Sequence, residues 1–139
     1  MHTRGSLAPE TDVLARERYE ALGERARVVV REVAKAMAFD DEEYDRRVTP
    51  EVVETARDVL FAAELEVHVG TREEYEEWFE AREYDVMETG SPNVDRVAWH
   101  VAPFAGEAVA ATFDREADAA VETLRRQAFG RIYRERLER

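Results

Sequence analysis

The sequence predicts an α+β fold: an antiparallel sheet of about four strands, packed with amino-terminal helices, one inserted helix and a long carboxyl-terminal helix. Two observations carry this. Residues 65–69 and the stretch Val97 to Phe113 alternate with period two, as half-buried strands do. On either side of them apolar residues recur at three- and four-residue steps, the spacing of an amphipathic helix face. Helices at both ends with strands between them describe a layered α+β arrangement.

The stretch around which the rest is organised is a hairpin. Its odd positions Val97, Trp99, Val101, Val109, Ala111 and Phe113 carry the bulk, and its even positions Ala98, His100, Ala102, Ala108, Ala110 and Thr112 are nearly all small. Paired residues of an antiparallel ladder point to one side, so the two bulky rows coincide only if the connecting loop is odd. A three-residue loop, Phe104-Ala105-Gly106, meets that condition and gives Gly106 a positive φ. The bulky row is then expected to face the main helical layer, including the helix that follows it.

In chain order, residues 1–10 read as a flexible tail and 11–139 as one α+β domain. Ala15, Tyr19, Leu22, Ala26, Val29, Val33 and Met37 keep helical spacing, with a break expected at Gly23. Asp40 caps a short helix with Glu43 as its reciprocal partner, and Thr49-Pro50 starts the next, whose buried stripe is Val52, Ala56, Val59, Leu60 and Ala63. Leu65, Val67 and Val69 point inward from a strand that exposes Glu66 and His68. Thr71 with Glu74 forms a capping box for a helix that buries Tyr75, Trp78 and Phe79 and solvates its glutamates. Tyr84 to Glu88 is a second strand, and residues 90–93 form the turn into the hairpin. From Asp114 a last helix carries Ala117, Val121, Leu124, Ala128 and Ile132 on one stripe and Phe129, Tyr133 and Leu137 on its flank.

Composition narrows the function classes. Thirty-two acids stand against 20 bases, of which only Lys35 is a lysine, for a net charge of -12 over 139 residues. Such a charge keeps a protein soluble by self-repulsion and disfavours a nucleic-acid surface. The absence of cysteine removes disulfides, thiolate metal sites and a cysteine nucleophile, and fits a reducing, cytoplasmic setting. No apolar run approaches the roughly 18 residues of a membrane helix. The strings VVVREVAKAM, EVVETARDVLFA, VAWHVAPFAG and LRRQAFGRIYR resemble those of a family of uncharacterised haloarchaeal proteins over nearly the whole length. The resemblance implies a salt-loaded archaeal cytosol and transfers no activity to any residue.

Few chemistries remain. The six glycines never cluster into a phosphate-cradling loop, and Ser6 and Ser91 lack a nucleophile's setting. His2, His68 and His100 are too scattered to hold a metal, so no metal and no cofactor is expected. His100 is the one catalytic candidate: on the alanine face it is either a core histidine or the base of a slot lined by Ala98, Ala102, Ala108 and Ala110. At the carboxyl end Arg125, Arg126, Arg131, Arg134, Arg136 and Arg139 face only Glu135 and Glu138. These arginines either complement the helix dipole and the acidic middle of the chain, or form a docking helix with Phe129, Tyr133 and Leu137. The leading reading is a non-catalytic protein-interaction module that binds itself or another protein through Arg125, Arg126, Phe129, Tyr133, Arg134 and Leu137. The rival is a small-molecule enzyme or binder around His100. A third, disfavoured by charge, is nucleic-acid binding through the terminal arginines or a helix-turn-helix near Val28 to Leu60.

Overall fold

The computed structural model describes residues 1–138; Arg139, counted above in the basic end, lies outside the described residues. Helices α1 (Asp12–Ala21) and α2 (Gly23–Ala36) meet at Leu22, so the chain does break at Gly23. Asp40 accepts from the backbone N–H of Glu43 to start α3 (Asp41–Arg47), and Thr49 caps α4 (Pro50–Glu64) with proline in its first turn. Strand β2 (Val67–Thr71) runs directly into α5 (Arg72–Glu80) through the Thr71/Glu74 capping box, both halves of which are formed. Then follow β3 (Asp85–Thr89), β4 (Arg96–Ala102), a 3-10 turn, β5 (Glu107–Phe113) and a carboxyl-terminal helical run. That run consists of α6 (Ala117–Ala128), a π turn (Phe129–Tyr133) and α7 (Arg134–Leu137).

The sheet has five strands in the order β1-β2-β4-β5-β3. It is antiparallel except that β3 lies parallel to β5. Strand β1 (His2–Arg4) falls inside the segment expected to be a tail. It is held by a backbone ladder to β2, by a 3.2 Å contact between Thr3 Oγ1 and His68 Nδ1, and by the Arg4–Asp118 ion pair. The hydrogen bonds are made by the backbone, and the polar string His-Thr-Arg gave no alternation from which a strand could be read.

The hairpin register also differs from expectation. Trp99 pairs with Ala110, His100 with Val109 and Val101 with Ala108, so the loop is even, Pro103 to Gly106. Gly106 nonetheless takes the left-handed conformation, φ 64°. The two bulky rows therefore lie on opposite faces. Val97, Trp99 and Val101 share a face with Ala108 and Ala110, and pack under Tyr75, Trp78 and Phe79 of α5. Val109 joins Ala98 and Ala102 under Phe61, Leu124, Phe129, Ile132 and Tyr133. The reason is that both faces of β4 are covered: residues 97 to 102 are all buried. With helices on both sides, a large residue opposite a small one fills each layer, and collecting the bulk on one face would leave the other hollow.

Helix α4 is rotated from its predicted setting. Phe61 and Ala62 point inward, while Val52 and Val59 are exposed, as is Ala63. His68, expected to be exposed, retains only 12% of its side-chain surface and stacks on Trp99 with ring centroids 5.5 Å apart. Among the described residues no helix is long and apolar enough to cross a membrane.

Candidate functional site

His100 is wholly enclosed between the sheet and the carboxyl-terminal helix. Its Nδ1 lies 2.7 Å from the carbonyl of Glu66 and its Nε2 2.7 Å from the hydroxyl of Tyr133. A carbonyl only accepts, so the ring is the Nδ1–H tautomer and Tyr133 donates to Nε2. Burial drives the His100 pKa down to about 4, against a smaller opposing effect of the Glu66 carbonyl. Burial likewise raises the Tyr133 phenol. Both ring nitrogens are thus spent on internal hydrogen bonds. The four alanines expected to line a slot do not share a face: Ala108 and Ala110 lie on the Trp99 side, and Ala98 and Ala102, beside His100, are covered by Tyr133, Phe129 and Ile132. Of the two readings of His100, this geometry is that of the core histidine, which ties β4 to the π turn.

The apolar residues of the carboxyl-terminal flank are buried as well. Phe129, Tyr133 and Leu137 are 2%, 0% and 8% exposed, packed in the chain's own core beside Phe61. A π turn five residues long, Phe129–Tyr133, buries Phe129, Ile132 and Tyr133 together. The arginines largely serve the fold. Arg125 Nε donates to the carbonyl of Leu65 at 3.0 Å, Arg136 pairs with Glu107 at 3.1 Å, and the Arg134 guanidinium lies 5.4 Å from the Phe129 ring centre. Arg126 is exposed and, among the described residues, hydrogen-bonds Thr123. Among the described residues no group of three or more acidic or histidine side chains is placed to hold a metal.

The open apolar surface lies instead on α2 and α4, which pack on each other. In α2, Ala26 and Ala34 are buried, and Val29, Val33 and Met37 remain 37%, 52% and 58% exposed. In α4, Val52 and Val59 are 42% and 62% exposed. At 100° per residue, Val29, Val33 and Met37 lie on one flank of α2, away from Arg27 and Arg31. On α4, Val52, Ala56, Val59 and Ala63 lie away from Pro50, Glu54 and Arg57 by the same count. Since Arg27, Arg31, Pro50, Glu54 and Arg57 line a common cavity, the two valine stripes occupy the other flank of the helix pair. Both stripes were read from sequence as core. What periodicity alone did not show is that α4 has a second inward row, Phe61 and Ala62 running into Leu65, which the sheet layer takes instead.

Residues 6–134 match the model of a family of unknown function, DUF5809, and the chain belongs to that family. No curated protein and no solved structure shows significant similarity to it.

Proposed function

We propose that this member of a family without an assigned activity is a non-catalytic protein-interaction module, and that it docks with a second copy of itself through the α2/α4 face rather than through its carboxyl-terminal helix. The observation that carries the reading is the pair of valine stripes that the chain does not cover. Exposed apolar residues scattered singly need no explanation, but two adjoining helix stripes mark an interaction surface.

The charges beside the stripe favour a second copy as the occupant. Arg25 and Glu32 are seven residues apart, two turns of one helix face, flanking Val29. If two α2 helices cross antiparallel about an axis between Val28 and Val29, Arg25 of each copy meets Glu32 of the other, as a two-fold interface requires. The same pairing brings Val33 of one copy level with Glu24 of the other. That is the end of α2 where Gly23 lies beside Arg57 of α4.

A net charge of -12 per chain opposes association in dilute buffer. At about 1 M salt the Debye length is only about 3 Å, and the repulsion is largely removed while apolar contact is retained. The acid-rich composition fits a salt-loaded cytosol of that kind. Sedimentation velocity in molar potassium chloride and in dilute buffer tests the proposal. The parent is expected to dimerise in the first, and Val33→Glu to remain monomeric with unchanged circular dichroism. Arg25→Glu and Glu32→Arg should each weaken the dimer, and the double exchange should restore it. A parent that stays monomeric at high concentration in molar salt overturns the reading.

A further inference from the structure

On the opposite flank of the α2/α4 pair lies a half-open cavity of about 650 Å³, lined from α1, α2, α3, α4 and the end of α7. Three guanidiniums face it, Arg27 and Arg31 from α2 and Arg57 from α4, with the tyrosines Tyr19 and Tyr44 among its walls. The arginines are poorly partnered. Arg57 Nε is buried without a hydrogen-bond partner, and its guanidinium lies over the Tyr19 ring at 4.6 Å. Neither Arg57 nor Arg31 forms an ion pair among the described residues, and Arg27 reaches only Glu24 on its own helix at 3.4 Å. In a chain where acids outnumber bases 32 to 20, any of these arginines had carboxylates to choose from.

Two carboxylates, Glu54 and Glu138, stand in the same wall. Asp58 accepts from the Tyr19 hydroxyl at 2.6 Å and shares a hydrogen bond with Glu138, which raises the Glu138 pKa. The amino end of α4, a helix of 15 residues, opens into the cavity as well, with Thr49 and Pro50 in the wall. Its partial positive charge adds to that of the arginines. The volume falls within the several hundred Å³ usual for small-ligand sites, and Val48, Val53 and Leu137 supply apolar wall.

We infer that this cavity binds a small organic phosphate, the phosphate held by Arg27, Arg31 and Arg57 at the start of α4 and the organic body lying against Tyr44, Val53 and Leu137. Planar guanidiniums on two facing helices suit a multidentate oxyanion. The site is on the flank opposite the valine stripes, so it stands or falls independently of self-association.

Isothermal titration with pyrophosphate, adenosine monophosphate and citrate tests this, at the lowest salt at which the parent keeps its near-ultraviolet circular dichroism. The two phosphates are expected to bind with micromolar dissociation constants, and adenosine monophosphate to protect Arg31 from guanidine-directed modification. Arg31→Gln and Arg57→Lys should each weaken binding about ten- to a hundredfold, the loss of a charge-assisted hydrogen bond. Arg47→Gln, which alters a guanidinium resting on Phe39 outside the cavity, should leave it unchanged. Arg57→Lys keeps the charge and guards against a trivial folding defect. Binding by neither phosphate, binding of citrate alone, or phosphate binding that survives both cavity substitutions overturns the proposal.

Discussion

The two faces of the central hairpin are built from the same two strands and solved in different ways. On the α5 side Trp99 sits in a cage of rings, with Tyr75, Trp78 and Phe79 at centroid distances of 5.3 to 6.5 Å. Its indole Nε1 is buried with no partner. On the α6 side the place next along β4 goes to His100, and both of its nitrogens are hydrogen-bonded. The aromatic face is held by shape and burial, which tolerate an unpaired N–H at a cost of about 1 to 3 kcal/mol. The alanine face is held by one polar node that has a single satisfied arrangement, and it sets how the carboxyl-terminal helix lies on the sheet. Small residues around the histidine let that helix approach closely enough for Tyr133 to reach it.

Removing the largest ring should show the aromatic face at its strongest. Trp99→Ala leaves a void among rings that cannot all collapse into it, and about 3 to 5 kcal/mol of stability should be lost. That is a large part of the 5 to 15 kcal/mol or so typical of a domain, so chemical denaturation should find the variant largely unfolded at moderate salt. A midpoint near the parent's would mean that the ring cage contributes little and that the polar face carries the fold.

The alanine face should respond to pH instead. The folded protein resists protonating His100 until pH is near 4, whereas the unfolded chain takes up that proton near the ordinary value of 6.5. Stability is therefore fully present above pH 6.5 and is lost as pH falls from 6.5 toward 4, by up to about 3 kcal/mol. Burial lowers the His68 pKa as well, in the same direction, so the informative quantity is a difference. Denaturation of the parent and of His100→Asn at matched pH values should show a shallower acid loss in the variant. Equal slopes would assign the loss to other groups. Smaller again is Tyr133→Phe, which leaves His100 Nε2 buried without a donor and should cost about 1 to 3 kcal/mol at neutral pH.

This contrast also marks what could be read in the sequence. Three helix starts were legible because their signals are local: Asp40, Thr49-Pro50 and the Thr71/Glu74 box each bond the backbone within three residues, whereas the last helix starts not at Asp114 but at Ala117, behind Glu116 and without a side-chain cap. The positive φ of Gly106 and the aromatic inner face of α5 followed from local pattern too. Strand register was not local. Its parity depended on helices covering both faces of β4, information that no residue between 97 and 113 carries. In α4 the row Val52, Ala56, Val59, Ala63 is as apolar as the row that is buried, and only the position of the sheet decides between them. The parallel pairing of β3 with β5 and the strand at residues 2–4 are likewise long-range events. At the candidate sites the types of residue were visible, but their exposure was not: the carboxyl-terminal aromatics turned inward, and the α2 and α4 valines outward.

The smallest expected effect concerns the turn that sets the two faces out of phase. An even loop pairs Trp99 with Ala110, and Gly106 closes it at φ 64° with nothing within 4 Å of where a Cβ would stand. Gly106→Ala therefore meets no steric obstacle and should cost only the strain of a left-handed alanine, about 1 kcal/mol. Gly106→Asn should cost less, because asparagine tolerates that region. Gly90 supplies the contrast: at φ 98° its Cβ would stand 1.9 Å from Thr112 Oγ1, so Gly90→Ala must push aside the hydroxyl that accepts from the Ser91 N–H and should cost distinctly more. Thermal melts of the three variants rank these costs. If Gly106→Ala proved as damaging as Gly90→Ala, the loop would be holding the register against a competing odd pairing, and the opposite placement of Trp99 and Val109 would depend on the turn rather than on helices packed against both faces.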